Sequence, residues 1–223
     1  MSVDPIAVEP ALRGARLALV FGGTFDPPHR AHVALPALVR EAVGADAVIY
    51  VPAARSPHKG DGPVAPGGER MEMLRLALAG EAWAVVSDVE LRRGADGPSY
   101  TVDTLRELGA ALPGVRLRLL MGADQAAAFA RWREPEEIVR LAEPVVMLRA
   151  PLESEGALMD VLRERWGADA AAPWRARIVA VPTLDAEATE IRERLRRDPL
   201  DPALDRLVPA AVLGHIRARG LYR

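Results

Sequence analysis

The chain has 223 residues, 50% of them hydrophobic and 27% charged, with a formal net charge of -2. That is enough length for a well-buried core and an ordinary make-up for a soluble globular protein, and the near-neutral charge gives no reason to expect nucleic acid as a partner. With no cysteine, there is neither a disulfide framework nor a thiolate metal site.

Residues 1–15 include Asp4 and Glu9 and lack a basic start followed by an apolar run, so they read as a tail and not a signal peptide. No stretch approaches the ~20 apolar residues that span a bilayer. No membrane partner is therefore expected, and a cytoplasmic location fits. Basic residues are almost all arginine, and Lys59 is the only lysine.

Short apolar runs then alternate with helical patterns. Strands are expected at Leu17 to Phe21, Ala47 to Val51, Ala84 to Val86, Leu117 to Met121, Val145 to Leu148 and Ile178 to Val181. They are continuous and rich in Val, Ile and Leu, as strands buried on both faces are. Helices are expected at Arg30 to Val43, Glu69 to Ala79, Val102 to Ala111, Glu136 to Leu141 and Glu155 to Trp166. Gly60 to Gly68 and Ala168 to Pro173 read as loops. This rhythm predicts an α/β fold, a Rossmann-like doubly wound parallel sheet with helices on both faces, over residues 16–185. Residues 186–223 change pattern: Thr189 to Arg197 and Pro209 to Arg219 predict a small helical C-terminal part, with a turn at Asp198 to Pro202 between them.

In such sheets, ligands bind beyond the carboxyl ends of the strands. The first strand runs into Gly22-Gly23-Thr24-Phe25-Asp26-Pro27-Pro28-His29-Arg30-Ala31-His32. Glycines there let a ligand approach the backbone, and the following helix offers unpaired N–H groups and a positive dipole end to phosphate. His29 and His32 share one face of its first turn. A His pair without a third ligand is a poor zinc site, so no protein-held metal is expected and the pair reads as hydrogen-bond donors to phosphate. Thr24 adds a hydroxyl, and Asp26 either shapes the turn or serves the site.

Further chemistry follows other strand ends. Pro52 to Lys59 carries His58 and Lys59 as phosphate donors. Gly97 to Thr104 precedes a helix, with Ser99 or Thr101 as its N-cap and amides that suit a carboxylate. Met121 to Trp132 brings Gly122 to a strand end, Asp124 to a ribose hydroxyl or the start of a helix, and Trp132 as a flat face for a base. Thr189 and Arg192, three apart, either meet phosphate or belong to a solvated helical face.

The loop matches neither G-x-G-x-x-G nor the P-loop pattern. It resembles the G-G-T-F-D-P-x-H-x-[GA]-H signature of the nucleotidyltransferase superfamily. From Leu17 to a Leu207–Tyr222 ending like V-P-x-x-V-x-x-Y-I-x-x-x-x-L-Y, the chain resembles the bacterial nicotinate-nucleotide adenylyltransferase family. The resemblance implies transfer of the adenylyl group of ATP to nicotinate mononucleotide with magnesium, giving deamido-NAD and pyrophosphate. It implies that His29 and His32 are catalytic, and that Gly22, Gly23, Thr24, Phe25, Gly122, Asp124, Thr189 and Arg192 hold ATP. Lys59, Tyr100, Thr101 and Trp132 would hold nicotinate mononucleotide.

The chain departs from the family pattern in three places. Ala186-Glu187-Ala188 stands for I-S-S, Pro135 for a frequent second Trp, and Ala31 for a glycine. Glu187 near a triphosphate costs binding unless it points away or meets magnesium. A preference for nicotinamide mononucleotide, another phosphorylated acceptor, or a nucleotide sensor without turnover are the alternatives. A homo-oligomer is left open.

Overall fold

The computed structural model describes residues 9–54, 63–94, 98–148, 152, 154–182, 184 and 186–223. Six strands form one sheet: β1 (Leu17–Gly23), β2 (Ala47–Pro52), β3 (Ala84–Val86), β4 (Arg116–Gly122), β5 (Ala142–Met147) and β6 (Ile178–Val179). Their spatial order is β3-β2-β1-β4-β5-β6, and every pairing is parallel. This is the Rossmann-like order, in which the direction of winding reverses between β1 and β4.

The helices are α1 (Arg30–Val43), α2 (Gly67–Ala77), α3 (Val89–Arg93), α4 (Thr101–Ala111), α5 (Ala123–Ala128), α6 (Pro135–Leu141), α7 (Glu155–Trp166), α8 (Ala168–Ala171), α9 (Ala188–Arg197), α10 (Leu204–Leu207) and α11 (Ala210–Arg219). Side chains alternate across the sheet because the strand repeat is two residues. Ala18 and Val20 of β1 join a core with Val102, Leu105 and Leu108 of α4 and Leu158 and Leu162 of α7. Leu17, Leu19 and Phe21 face the other way, onto Ala31, Leu35 and Val39 of α1 and Leu74 of α2. The sheet is covered on both faces.

A third core joins Met73 of α2 to Ile191 and Leu195 of α9, Leu204 of α10, Val212, Leu213 and Ile216 of α11, and Tyr222. It fastens residues beyond 186 against α2. The expected loop over Ala168 to Pro173 is instead α8 followed by a tight 3-10 turn, Ala172–Arg177, that buries Trp174. At the other end, a 3-10 turn at Pro10–Leu12 puts Leu12 into the first core. Among the described residues, no helix is long and apolar enough to cross a membrane.

Candidate active site

β1 and β4 are neighbours, with Phe21 opposite Leu120, so Gly22 and Gly23 of β1 and Gly122 of β4 all lie at the carboxyl edge of the sheet. Gly22 is exposed, and a side chain there would meet nothing within 4 Å. Gly23 differs, because a Cβ would stand 2.9 Å from the Phe25 ring. That ring is 1% exposed, set edge-on to Phe21 at 5.7 Å and to His32 at 5.0 Å. Phe25 was expected to hold ATP. Its side chain lies in the core beneath the loop, and its main chain turns to φ 51°.

His29 takes the N-cap position of α1 with extended backbone. Its ring is largely buried, at 6% exposed, and stacks on that of His32 with 3.6 Å between centroids and 23° between planes. The His29 N–H donates to Nδ1 of His32 at 3.3 Å, and the His32 N–H donates to the His29 carbonyl at 2.9 Å. A ring nitrogen that accepts carries no proton, so a neutral His32 holds its proton on Nε2. The half-exposed His32 ring thereby becomes a donor of fixed orientation at the mouth of the helix.

Thr24 is half-buried, and its carbonyl accepts from Nη1 of Arg70 at 2.7 Å. Across the same loop, Arg192 donates from Nη1 to the Asp26 carbonyl at 2.7 Å and from Nη2 to the Thr189 hydroxyl at 3.2 Å. The structure thus brings Arg192, and Thr189 bonded to it, to the histidine loop, Arg192 lying 166 residues from Asp26 in sequence. Glu187, ahead of α9, is exposed and makes no capping bond to it. Gly122 is the buried N-cap of α5, and Asp124, half-buried in its first turn, accepts from the Gln125 amide at 3.2 Å.

A second group lies further along the same edge. The N-cap of α4 is Tyr100, not Ser99 or Thr101, and no side chain caps it. Thr101 is the first helical residue, and the N-cap side chain accepts no hydrogen bond from the opening amides of α4. The Arg133 guanidinium lies 4.8 Å over the Tyr100 ring, which draws the segment after Trp132 onto the start of α4. Trp132 is half-buried with its ring 5.4 Å from Phe129, so one face packs on the core. Pro135 occupies the first turn of α6, where a missing N–H costs nothing. His58 and Lys59 fall outside the described residues.

Three polar residues around this loop are buried; sequence reading left the role of Asp26 open and missed Arg70 and Tyr222. Asp26 is 4% exposed and Arg70 is 2% exposed. Tyr222 is 5% exposed, and burial together with its bond to Asp26 pushes its hydroxyl pKa well up. The proline after Asp26 signalled a turn, but nothing local announced a buried arginine within α2. Among the described residues, no group of three or more His, Asp or Glu side chains could hold a metal ion.

A family model described as cytidylyltransferase-like matches residues 20–194. A Chromobacterium violaceum protein named probable nicotinate-nucleotide adenylyltransferase is 38% identical over 212 residues, covering 92% of this chain and 97% of the relative. A Marinobacter nauticus protein of the same name is 40% identical over 214 residues, covering 92% and 95%. The chain belongs to the nicotinate-nucleotide adenylyltransferase family. As a nicotinate-nucleotide adenylyltransferase family member, it is a nucleotidyltransferase. The structure of Plasmodium falciparum nicotinic acid mononucleotide adenylyltransferase complexed with NaAD superposes with a TM-score of 0.73 at 15% identity, covering 93% of this chain and 97% of that one. The fold is shared across that distance.

Proposed function

We propose that the chain transfers the adenylyl group of ATP to nicotinate mononucleotide, giving deamido-NAD and pyrophosphate. The single observation that carries this reading is the 38–40% identity to adenylyltransferases over nearly their full length. In the reaction, a phosphate oxygen of the mononucleotide attacks the α-phosphorus of ATP. A new O–P bond forms as the bond from that phosphorus to the bridging oxygen breaks, and pyrophosphate leaves with the electron pair. Positioning and preformed charge stabilisation do the catalysis, and no covalent enzyme intermediate is needed.

His29 and His32 serve the α-phosphate, with Nε2–H of His32 donating to an oxygen on which negative charge grows. The main chain from Gly22 to Phe25 and the N-terminus of α1 cradle the phosphates. Arg192, held by the Asp26 carbonyl and Thr189, keeps N–H groups for the leaving phosphates. Gly122 and Asp124 serve the nucleoside of ATP. Magnesium, when bound with ATP, neutralises charge on the departing phosphates.

At the acceptor end, Trp132 supplies the face for the pyridine ring. The uncapped amides at Tyr100 and Thr101 receive the nicotinate carboxylate, and Lys59 meets phosphate. A carboxylate answers uncapped helix amides better than a neutral amide does. Kinetic comparison of the two mononucleotides with Mg-ATP tests the reading. Deamido-NAD is expected, with kcat/KM favouring nicotinate mononucleotide by about tenfold or more. Folded protein that forms neither dinucleotide overturns it.

A further inference from the structure

Asp26 sits between Thr24 and His29, yet nothing in its own loop satisfies its carboxylate. Oδ2 accepts the N–H of Val64 at 2.7 Å. Oδ1 accepts the N–H of Ala65 at 3.1 Å and the hydroxyl of Tyr222 at 2.7 Å. Arg70 stands beside it, donating from Nε to the Ala65 carbonyl at 3.2 Å and from Nη1 to the Thr24 carbonyl at 2.7 Å. A carboxylate 4% exposed persists only with such a complete set of donors and a nearby cation. Four separate parts of the chain therefore grip residues 24–26: the approach to α2, α2 itself, α9 through Arg192, and the residue Tyr222 beyond α11.

We propose that Tyr222 and Asp26 are positioning residues for adenylyl transfer, the Tyr222 hydroxyl fixing the Asp26 carboxylate and through it the placement of His29 and His32. The inference rests on the proposed function and deepens it. Its physical basis is leverage. Pro27 and Pro28 make a stiff connection from Asp26 to His29, so a shift at the carboxylate passes directly to the imidazoles. A displacement of about 1 Å in a catalytic group costs on the order of a hundredfold in rate. Tyr222 is carried by α11, and Glu69 of α2 binds that helix at His215 (2.7 Å) and Arg219 (2.7 Å). The helical end of the chain thus bears on the chemistry without touching substrate.

Tyr222→Phe keeps the ring and removes the hydroxyl. The expected result is a kcat lower by about tenfold, with the KM for nicotinate mononucleotide within about twofold. Amide exchange should quicken over residues 23–29 and stay unchanged in β4 and β5. Asp26→Asn puts an N–H where the Val64 N–H needs an acceptor, and should lose more rate than Tyr222→Phe. An unchanged kcat in Tyr222→Phe, or a lower melting temperature with full rate per folded molecule, overturns the proposal. Wild-type protein that never turns over overturns the proposed function instead. In that case loop exchange alone decides the coupling: unchanged exchange in Tyr222→Phe sinks it, and faster exchange confined to the loop sustains it.

Discussion

The guanidinium of Arg192 donates to the main-chain carbonyl of Asp26 at 2.7 Å, joining α9 to the histidine loop across 166 residues of sequence. The same side chain reaches the Thr189 hydroxyl at 3.2 Å. A fork held at two points presents its remaining N–H groups in a fixed direction, which an ammonium cannot do. Arg192→Lys should therefore raise the KM for ATP by about tenfold, since a hydrogen bond to a charged group is worth roughly 1.5–3 kcal/mol. The KM for nicotinate mononucleotide should hold. A steady-state comparison with each substrate varied checks this, and equal rises in both values would contradict it.

Trp132 packs on the core through Phe129 at 5.4 Å, and the proposed function gives its ring a second task at the acceptor. Its replacement consequently has two effects of different origin. Trp132→Ala should raise the KM for nicotinate mononucleotide by about tenfold through lost stacking, worth roughly 0.5–1.5 kcal/mol in aromatic pairs. It should also lower the melting temperature through lost packing. Trp132→Phe should recover most of the KM. Full affinity in Trp132→Ala would remove this residue from the acceptor site.

Glu90 offers a prediction in pH. It is 7% exposed, and its Oε1 accepts the Thr104 hydroxyl at 2.7 Å, while Arg93 donates to that hydroxyl at 2.6 Å. Burial pushes its pKa above the ordinary glutamate value of 4.5, against the pull of the hydrogen bonds from Thr104 and Ser99 and the charge of Arg93. With a raised native pKa, the folded state binds the proton more tightly than the unfolded chain. Stability contributed by this group is thus present below pH 4.5 and falls as pH rises through the native pKa. Glu90→Gln keeps an acceptor for Thr104 and removes the charge. Its melting temperature relative to wild type should therefore increase with pH from 4 to 8 in a thermal series, and a difference that is flat with pH would contradict the assignment.

Much of this architecture was legible because its signals are local. The six strands were marked by short Val- and Leu-rich runs, and the glycine pair after β1 by its place between strand and helix. The signals fail where tertiary contacts decide. Arg70 lies among Met71, Met73 and Leu74 in α2, where a charge reads as solvated, yet it is buried because the Thr24 and Ala65 carbonyls await it. Phe25 stands in the signature of the phosphate loop, but its φ of 51° turns the ring under the loop and into the core. The helices α3, α5, α8 and α10 span 4 to 6 residues each, too few for an apolar repeat to emerge. Tyr100 takes the N-cap of α4 without offering a capping side chain, so the usual preference for Ser or Thr pointed one residue to either side.

The central claim is that the stacked pair His29 and His32 stabilises the phosphate in flight. Pyrophosphate release at saturating Mg-ATP and nicotinate mononucleotide, compared between wild type and His32→Ala, tests it most directly. The account predicts turnover in the wild type and a fall of about 10²–10³-fold in kcat in the variant, the scale for losing one donor to a charged transition state. ATP affinity should change little. A variant that keeps the wild-type rate, or a wild type that binds ATP and releases no pyrophosphate, would contradict it.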